Sequence, residues 1–559
     1  MHSTIRVTRD RWRNWSGELQ TTPRRLYCDD AGGRWKSPRT LADLQAIVRD
    51  AQAEQVSVRV FGSSHSWAAL VPNDGGYLVD NRMINSSDGY YNVSITPAEG
   101  DRKARATVPP GLLSSEFEAW LWKHGYTMPA SAFEDCFTVG GMAATATHGV
   151  GIDIGTVSDM VVGMTFVDGR GEVRRWDRES CSEDELAAIQ CGLGCLGLIH
   201  DISFEIEPRY ETFHEALLIN YADYFADTDQ ARANLRALHE SHTSVEFFWW
   251  PFRFKRGLPL LSQIEINPEV FVLATCKQIP SDARPRGLLR RVLHLEVADM
   301  ASMIGAGTAM RALSHFPQLA FLNAWAASFT NVWVAGRRGA YRMPQYDANH
   351  FVNATAVEFM TAMASEWSVP FRRDAPLDAA DGYERVRQSF ALLHDLVVEA
   401  FETHPIRDPR ATPVAIAIEM RTLAASSALL SPGYQPEALR GQIHYAAPEL
   451  VTTAGHPAWE EFARRANLVM TTSTEQLGTQ VRCHQAKPCH DWPHPDHPEG
   501  MRAYLREQYR VAGTWDRFLK VREALDPDGV FLNDYLRAWF ELPCAAAQDD
   551  PEMAEWAAE

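Results

Sequence analysis

With 559 residues, 45% of them hydrophobic, the chain is long enough for two or more separate cores. Its 72 acidic and 54 basic side chains leave a formal charge of −18, which opposes binding to nucleic-acid phosphates and to anionic membrane surfaces. Nine cysteines, an odd number scattered over the whole length, make no disulfide framework and point to a reducing compartment, the cytoplasm.

The N-terminal stretch MHSTIRVTRDRWRNWSGELQ is charged and aromatic and lacks the apolar run and cleavage site of an export signal. Leu41, Leu44, Ile47 and Val48 recur at helical spacing, and VSVRVF then alternates as a strand does before the turn FGSSHSW. A second strand, GGYLVDN, follows a Pro-Asn-Asp-Gly turn, and a helix is predicted over SSEFEAWLWKHG with Phe117, Trp120 and Leu121 on one face. The small-residue run VGGMAATATHGVG leads into two strands joined at DGRG, a hairpin, and CGLGCLG precedes another strand. From about residue 210 the sequence turns aromatic and proline-rich, as in VEFFWWPFRF, which marks a domain boundary. The uncharged stretch Pro317 to Gly336 carries too many polar groups to span a membrane and reads as buried structure, a candidate substrate wall. The tail AAAQDDPEMAEWAAE reads as a frayed acidic end.

Three glycine-rich turns carry the first chemical signal. Small residues let backbone amides approach phosphate oxygens closely, so several such loops can cradle a pyrophosphate without lysine. None has the GxGxxG or GxxxxGK[ST] pattern, which disfavours a nicotinamide-binding Rossmann domain. Singly, each reads as a tight turn.

The second signal lies in PVAIAIEMRTLAASSALLSPGY. Val414, Ile416, Ile418 and Met420 alternate with Ala415, Ala417, Glu419 and Arg421, so Glu419 and Arg421 share one face of a strand. On an exposed face they would be a solvated pair of little worth. The third is VRCHQAKPCHDWPHPDH, which crowds together Cys483, His484, Cys489, His490, His494 and His497. These are zinc-type ligands, but the stretch lacks two close pairs across a turn, and a Pro/His-rich surface loop with a lone lysine is the simpler reading.

Taken together, NWSG at Asn14 to Gly17, VRVFGSSHSW, TVGGMAATATHGVG and GCLGLI resemble the FAD-binding domain of the vanillyl-alcohol oxidase superfamily, in its alditol and aldonolactone oxidase branch. The distal segments EMRT, LSPGY, RCHQAK and LDPDGVFLNDYL resemble motifs of the same branch. The resemblance covers residues 12 to about 205 and 414 to 537. It implies an α+β fold: a two-subdomain FAD-binding domain over 1–210, a substrate-binding cap domain with a large antiparallel sheet over 211–480, and a return segment over 481–559 that completes the FAD domain.

The resemblance also implies site residues. Gly62, Ser63, Ser64, His65 and Ser66 in the first turn, Thr138, Gly140, Gly141, Ala143, Thr147, His148 and Gly149 in the second, and Gly192, Gly197 and Ile199 in the third would contact FAD. His65 would carry the flavin covalently, holding its pose and raising its potential, while His148 would be structural. Arg421 would bind or polarise the reacting hydroxyl, with Glu419 orienting it and His444 nearby. Arg482, His484 and Lys487 fall in register with a segment that delivers a lysine to the site, although Cys483 and Gln485 stand where proline and tryptophan are usual. Lys487, desolvated beside Arg421, would have a lowered pKa and accept a proton, or would steady the alkoxide as a cation. The implied activity is oxidation of a CH–OH group of a polyol, sugar or aldonolactone, with dioxygen reduced to hydrogen peroxide. The alternatives are oxidation of a bulkier, sterol-type alcohol, or a dehydrogenase with another electron acceptor. A metal-stabilised binding protein built on the Cys/His stretch is the rival from a different class.

Overall fold

The computed structural model describes residues 6–8, 10–87, 90–129, 131–255, 264–281, 316, 322, 338–350 and 361–543. Apart from Leu322, the apolar stretch from Pro317 to Gly336 lies outside the described residues.

Two sheets of the N-terminal part carry the glycine-rich turns. A parallel three-stranded sheet runs in the order Arg25–Tyr27, Tyr77–Asp80, Val58–Phe61. The helix Leu41–Glu54 covers it, started by a capping box between Thr40 and Asp43, and buries Leu44, Ile47, Val48 and Ala51 against the sheet's hydrophobic core. Five antiparallel strands follow, in the order Val173–Asp177, Val161–Val167, Leu198–Glu205, Arg105–Val108, Ser94–Thr96. The hairpin expected at DGRG joins the first two of these, with Val167 opposite Val173 and Asp168 accepting from the N–H groups of Arg170 and Glu172, both at 2.9 Å.

The large sheet is antiparallel throughout and has eight strands. Its order is Gly339–Pro344, Glu211–Asn220, Glu269–Cys276, Ser244–Trp249, Ala417–Ala424, Ile443–Thr453, Ala362–Arg372, Arg482–Cys483. Its strands begin at Glu211, where the aromatic character of the sequence sets in.

The long amphipathic helix Tyr383–Thr403 packs on one face of this sheet. The strand Ala417–Ala424 shows why the two faces differ. Ile418 and Met420 point into the core, fully buried, each contributing about 1.5–3 kcal/mol. Successive side chains alternate, so Glu419 and Arg421 point the other way, into a cavity shared with the N-terminal glycine-rich turns.

The chain then returns. Arg482 and Cys483 pair with Ser368 and Trp367 at the sheet edge, and the Ala486 carbonyl accepts from the N–H groups of Trp67 and Ala68, both at 2.9 Å. The segment that carries Lys487 is thereby tied to the GSSHSW turn. Near the C-terminus the buried Asp526 carboxylate accepts from the N–H groups of Val530 and Phe531, and the Asn533 amide donates to the carbonyls of Ala69 and Pro72. No helix among the described residues is long and apolar enough to cross a membrane.

Candidate active site

One cavity of about 260 Å³ runs between the glycine-rich turns and the polar face of the large sheet. A single water needs only about 10–15 Å³, so this space suits an organic molecule.

One end of it is formed by the glycine-rich turns. Gly62, Ser63, Ser64, His65, Ser66, Thr138, Gly140, Gly141, Thr147, His148, Gly197 and Ile199 all line it, together with Leu193 and Gly194. Ala143 is buried in the helix Val139–Ala144, and neither it nor Gly149 or Gly192 lines the cavity. A Cβ on Gly62 would sit 2.1 Å from Thr138 Oγ1, and one on Gly149 would sit 2.1 Å from the Ser131 carbonyl oxygen, so glycine lets these backbones meet. The groove is a cradle of open backbone and small side chains, which fits the pyrophosphate and ring system of FAD.

His65 stands at the end of the first turn. Its ring stacks on Trp15 at 4.7 Å and packs against Phe137 at 4.8 Å, with Nε2 3.6 Å from the Cys136 sulfur. Burial lowers its pKa to about 3, so the imidazole is neutral and nucleophilic.

The other end is a row of charges set by strand register. Glu246 lies opposite Arg421, Glu419 opposite Glu449, and Glu449 opposite Glu366. Opposed residues share a face, so four carboxylates from four strands gather at this end of the cavity, three of them on Arg421. Arg421 donates to Glu246 through Nε, to Glu419 at 2.6 Å through Nη2, and to Glu449 at 3.2 Å through Nη1. The Lys487 ammonium donates to Glu449, lies 3.8 Å from Glu366 and sits 4.3 Å from the centre of the Trp67 ring. Lys487 and Arg421 are thus bridged by one carboxylate.

His148 faces only acceptors. Its Nε2 donates to Glu366 at 2.6 Å and its Nδ1 to the Gly149 carbonyl at 3.0 Å, so both nitrogens carry protons. Burial opposes that charge, but Glu366 outweighs it and raises the pKa of His148. Glu366 is itself held well below the ordinary carboxylate range: burial works against ionisation, and His148, His484 and Lys487 overcome it. His484 is the opposite case. Burial lowers its pKa to about 4, and Nδ1 accepts from the Ala486 N–H at 3.2 Å, leaving a neutral ring.

A fifth carboxyl, Glu134, also lines the cavity. Three cations, Arg421, Lys487 and His148, therefore face five carboxylates, and not all five ionise. Burial pushes the pKa of Glu419 up to about 8, with Glu449, Glu246 and Glu134 adding to the shift against the pull of Arg421. Glu134 and Glu246 are likewise raised, mainly by burial.

Two expectations change. The pKa of Lys487 is raised rather than lowered: burial disfavours its charge, but Glu449 and Glu366 more than compensate, so it stays an ammonium. His444 lies five residues before Glu449 on the same strand and hence on the opposite face. There it packs on Phe371, with Nε2 3.8 Å from Asp153, outside the cavity.

The Cys/His stretch is also not a surface loop: Cys483, Cys489, His490 and His494 are buried, and His490 packs between Tyr535 and Trp539. Among the described residues, one group of metal-type ligands converges, His148, Glu366 and His484, and of the six residues in that stretch only His484 belongs to it. The His148 protons and the Lys487 ammonium already balance the Glu366 charge there.

Glu134, Glu246, Glu366 and Glu449 are site residues that sequence reading missed. The signal available was a single glutamate in each of the apolar strands VEFFW, SEWSV and PELV.

The sequence matches two families: one described as FAD binding domain over residues 36–177, the other as D-arabinono-1,4-lactone oxidase over residues 360–539. The chain is 24% identical over 528 residues to an L-gulono-1,4-lactone dehydrogenase of Mycobacterium tuberculosis strain H37Rv, spanning 94% of this chain and 98% of that protein. It is 27% identical over 241 residues to a D-arabinono-1,4-lactone oxidase of Eremothecium gossypii, spanning 43% of this chain and 41% of the other. Among solved structures, cholesterol oxidase from B. sterolicum superposes with a TM-score of 0.71 at 16% identity, covering 97% of this chain and 98% of the other. At that identity the likeness is one of fold alone.

Proposed function

We propose that the chain, whose sequence matches an FAD binding domain and D-arabinono-1,4-lactone oxidase, is an FAD-dependent oxidoreductase of the aldonolactone oxidase branch that oxidises a ring CH–OH group of a 1,4-lactone and passes the electrons to dioxygen. The observation that carries the substrate reading is the carboxylate row around Arg421, set in the same cavity as the glycine cradle and His65. The charged groups clustered at this end of the cavity can accept from and donate to the hydroxyls of a small polyhydroxylated molecule, which a sterol skeleton with a single hydroxyl would use far less.

FAD, held by the three turns and attached at His65, supplies the hydride acceptor. Arg421 donates to the reacting hydroxyl oxygen and stabilises the negative charge that develops on it. Glu419 takes the hydroxyl proton on its carboxylate. Its raised pKa suits it to that task near neutral pH. Lys487 remains charged, fixes Glu449 and through it the guanidinium plane of Arg421, and adds positive potential beside the oxyanion. His148, held protonated by Glu366, places a second cation at the cofactor end.

The test is a peroxide-release screen of the purified yellow protein across L-gulono-, L-galactono- and D-arabinono-1,4-lactone, simple polyols and cholesterol. Peroxide from one or more lactones is the expected result. Peroxide from cholesterol alone would sink the lactone reading, and anaerobic bleaching by a lactone with reoxidation only by an added dye would make the protein a dehydrogenase.

A further inference from the structure

Of the five carboxyl groups at the cavity, four have partners within the protein. Glu246, Glu419 and Glu449 occupy all three nitrogens of Arg421, Glu449 also takes Lys487, and Glu366 takes His148. Glu134 is different. Apart from its own backbone N–H, its carboxyl makes no hydrogen bond or ion pair among the described residues, although it lines the same cavity and lies within electrostatic reach of Arg421, Glu449 and Lys487. Those cations are already engaged elsewhere. A polar group that faces a binding cavity without an internal partner finds one in what binds there.

The loop that carries Glu134 is also fixed rather than adaptable. The neighbouring Phe133 ring packs on Phe248 at 5.7 Å and under the Arg421 guanidinium at 5.5 Å, and its carbonyl accepts from His350 Nδ1 at 2.9 Å. Two residues further on, the Cys136 carbonyl accepts from the Ser63 hydroxyl at 2.5 Å. The carboxyl is therefore held in one place at the charged end of the cavity, within electrostatic reach of Arg421, which is what a selective contact requires.

We propose that Glu134 is a specificity-determining residue: it hydrogen-bonds a hydroxyl of the polyhydroxylated substrate away from the reacting carbon and so ranks lactones that differ in hydroxyl placement. The inference rests on the lactone reading above. Burial raises its pKa above the usual carboxylate value, favouring a neutral acid that both donates and accepts, as a hydroxyl does.

Anaerobic flavin bleaching by L-gulono-, L-galactono- and D-arabinono-1,4-lactone, in the wild type, Glu134→Leu and Glu134→Gln, tests this. The wild type should rank the three lactones. Glu134→Leu should lower kcat/KM for the preferred one by about tenfold, mostly through KM, and draw the three values together. Glu134→Gln, which keeps a donor and an acceptor, should stay within about threefold and preserve the ranking. An unchanged ranking in Glu134→Leu, equal rates for all three lactones in the wild type, or a loss in Glu134→Gln confined to kcat would each overturn the assignment. If Glu134→Leu yields no flavin-loaded protein, Glu134→Ala is read by the same criteria. A wild type bleached by none of the three lactones fails at the substrate reading itself, and this inference falls with it.

Discussion

Glu419 and Lys487 have their charge states exchanged relative to what residue type alone suggests. A lysine in a buried site is a familiar candidate base, but two carboxylates keep Lys487 charged, and burial, helped by the neighbouring carboxylates, makes Glu419 the group that titrates near neutrality. With a pKa near 8, Glu419 is mostly protonated at pH 7, and its base form grows as pH rises. The rate constant for flavin reduction should therefore climb with pH to an apparent pKa near 8. Glu419→Gln should erase that ionisation and slow reduction by about 10²–10⁴-fold, measured by anaerobic stopped flow. The same shift has a stability consequence of defined sign. A carboxyl with a raised folded pKa contributes fully below its unfolded value of 4.5, and that contribution is lost as pH rises through about 8. Lys487→Met should cut turnover by about 10²-fold while leaving the flavin attached, because the lysine adds charge stabilisation and meets the first turn only at the Trp67 ring, which methionine can still cover. His65→Ala should leave acid-precipitated protein colourless.

At the scale of elements, the site is a consequence of strand phase. The alternation over Val414 to Arg421 already put Glu419 and Arg421 on one face, and the strand Ala417–Ala424 keeps that phase. The partners were not readable. Glu246 lies 175 residues before Arg421 and Glu449 28 residues after it, and Glu366 comes from a third strand; only the pairing register puts them on one face with it. His444 was readable only by its motif, and its odd offset from Glu449 turns it to the far face. His444→Ala should accordingly leave kcat within about twofold, a surface-type effect on catalysis. The glycine turns were legible as a set because close backbone approach demands glycine whatever the fold. Gly62→Ala would drive a methyl into Thr138 at the start of the helix Val139–Ala144, and the purified protein should carry much less flavin per chain by absorbance.

At the scale of the molecule, the first and last parts of the chain are locked together. Arg59, buried in the strand Val58–Phe61, gives its guanidinium to the carbonyls of Leu70, Leu193, Gly194 and Phe531, joining the first turn, the third turn and the C-terminal segment. Burial lowers its pKa to about 10, which still leaves it charged at neutral pH. Arg59→Leu would strand these carbonyls, a loss of at least ~3 kcal/mol, and should lower the melting temperature by several degrees and release the C-terminal segment to proteolysis. This closure was foreshadowed by the LDPDGVFLNDYL motif, whereas Arg59 carries no motif and acts through carbonyls that sequence does not number. The cavity joins the two halves so that a cofactor cradle from one meets a charged sheet face from the other. The measurement that tests this most directly is anaerobic mixing of the flavin-loaded protein with 1,4-lactones, in the wild type and in Arg421→Met. Saturable bleaching by a lactone, lost by about 10²-fold or more in Arg421→Met with the flavin still bound, is the expected result. Bleaching that survives Arg421→Met undiminished would contradict the account.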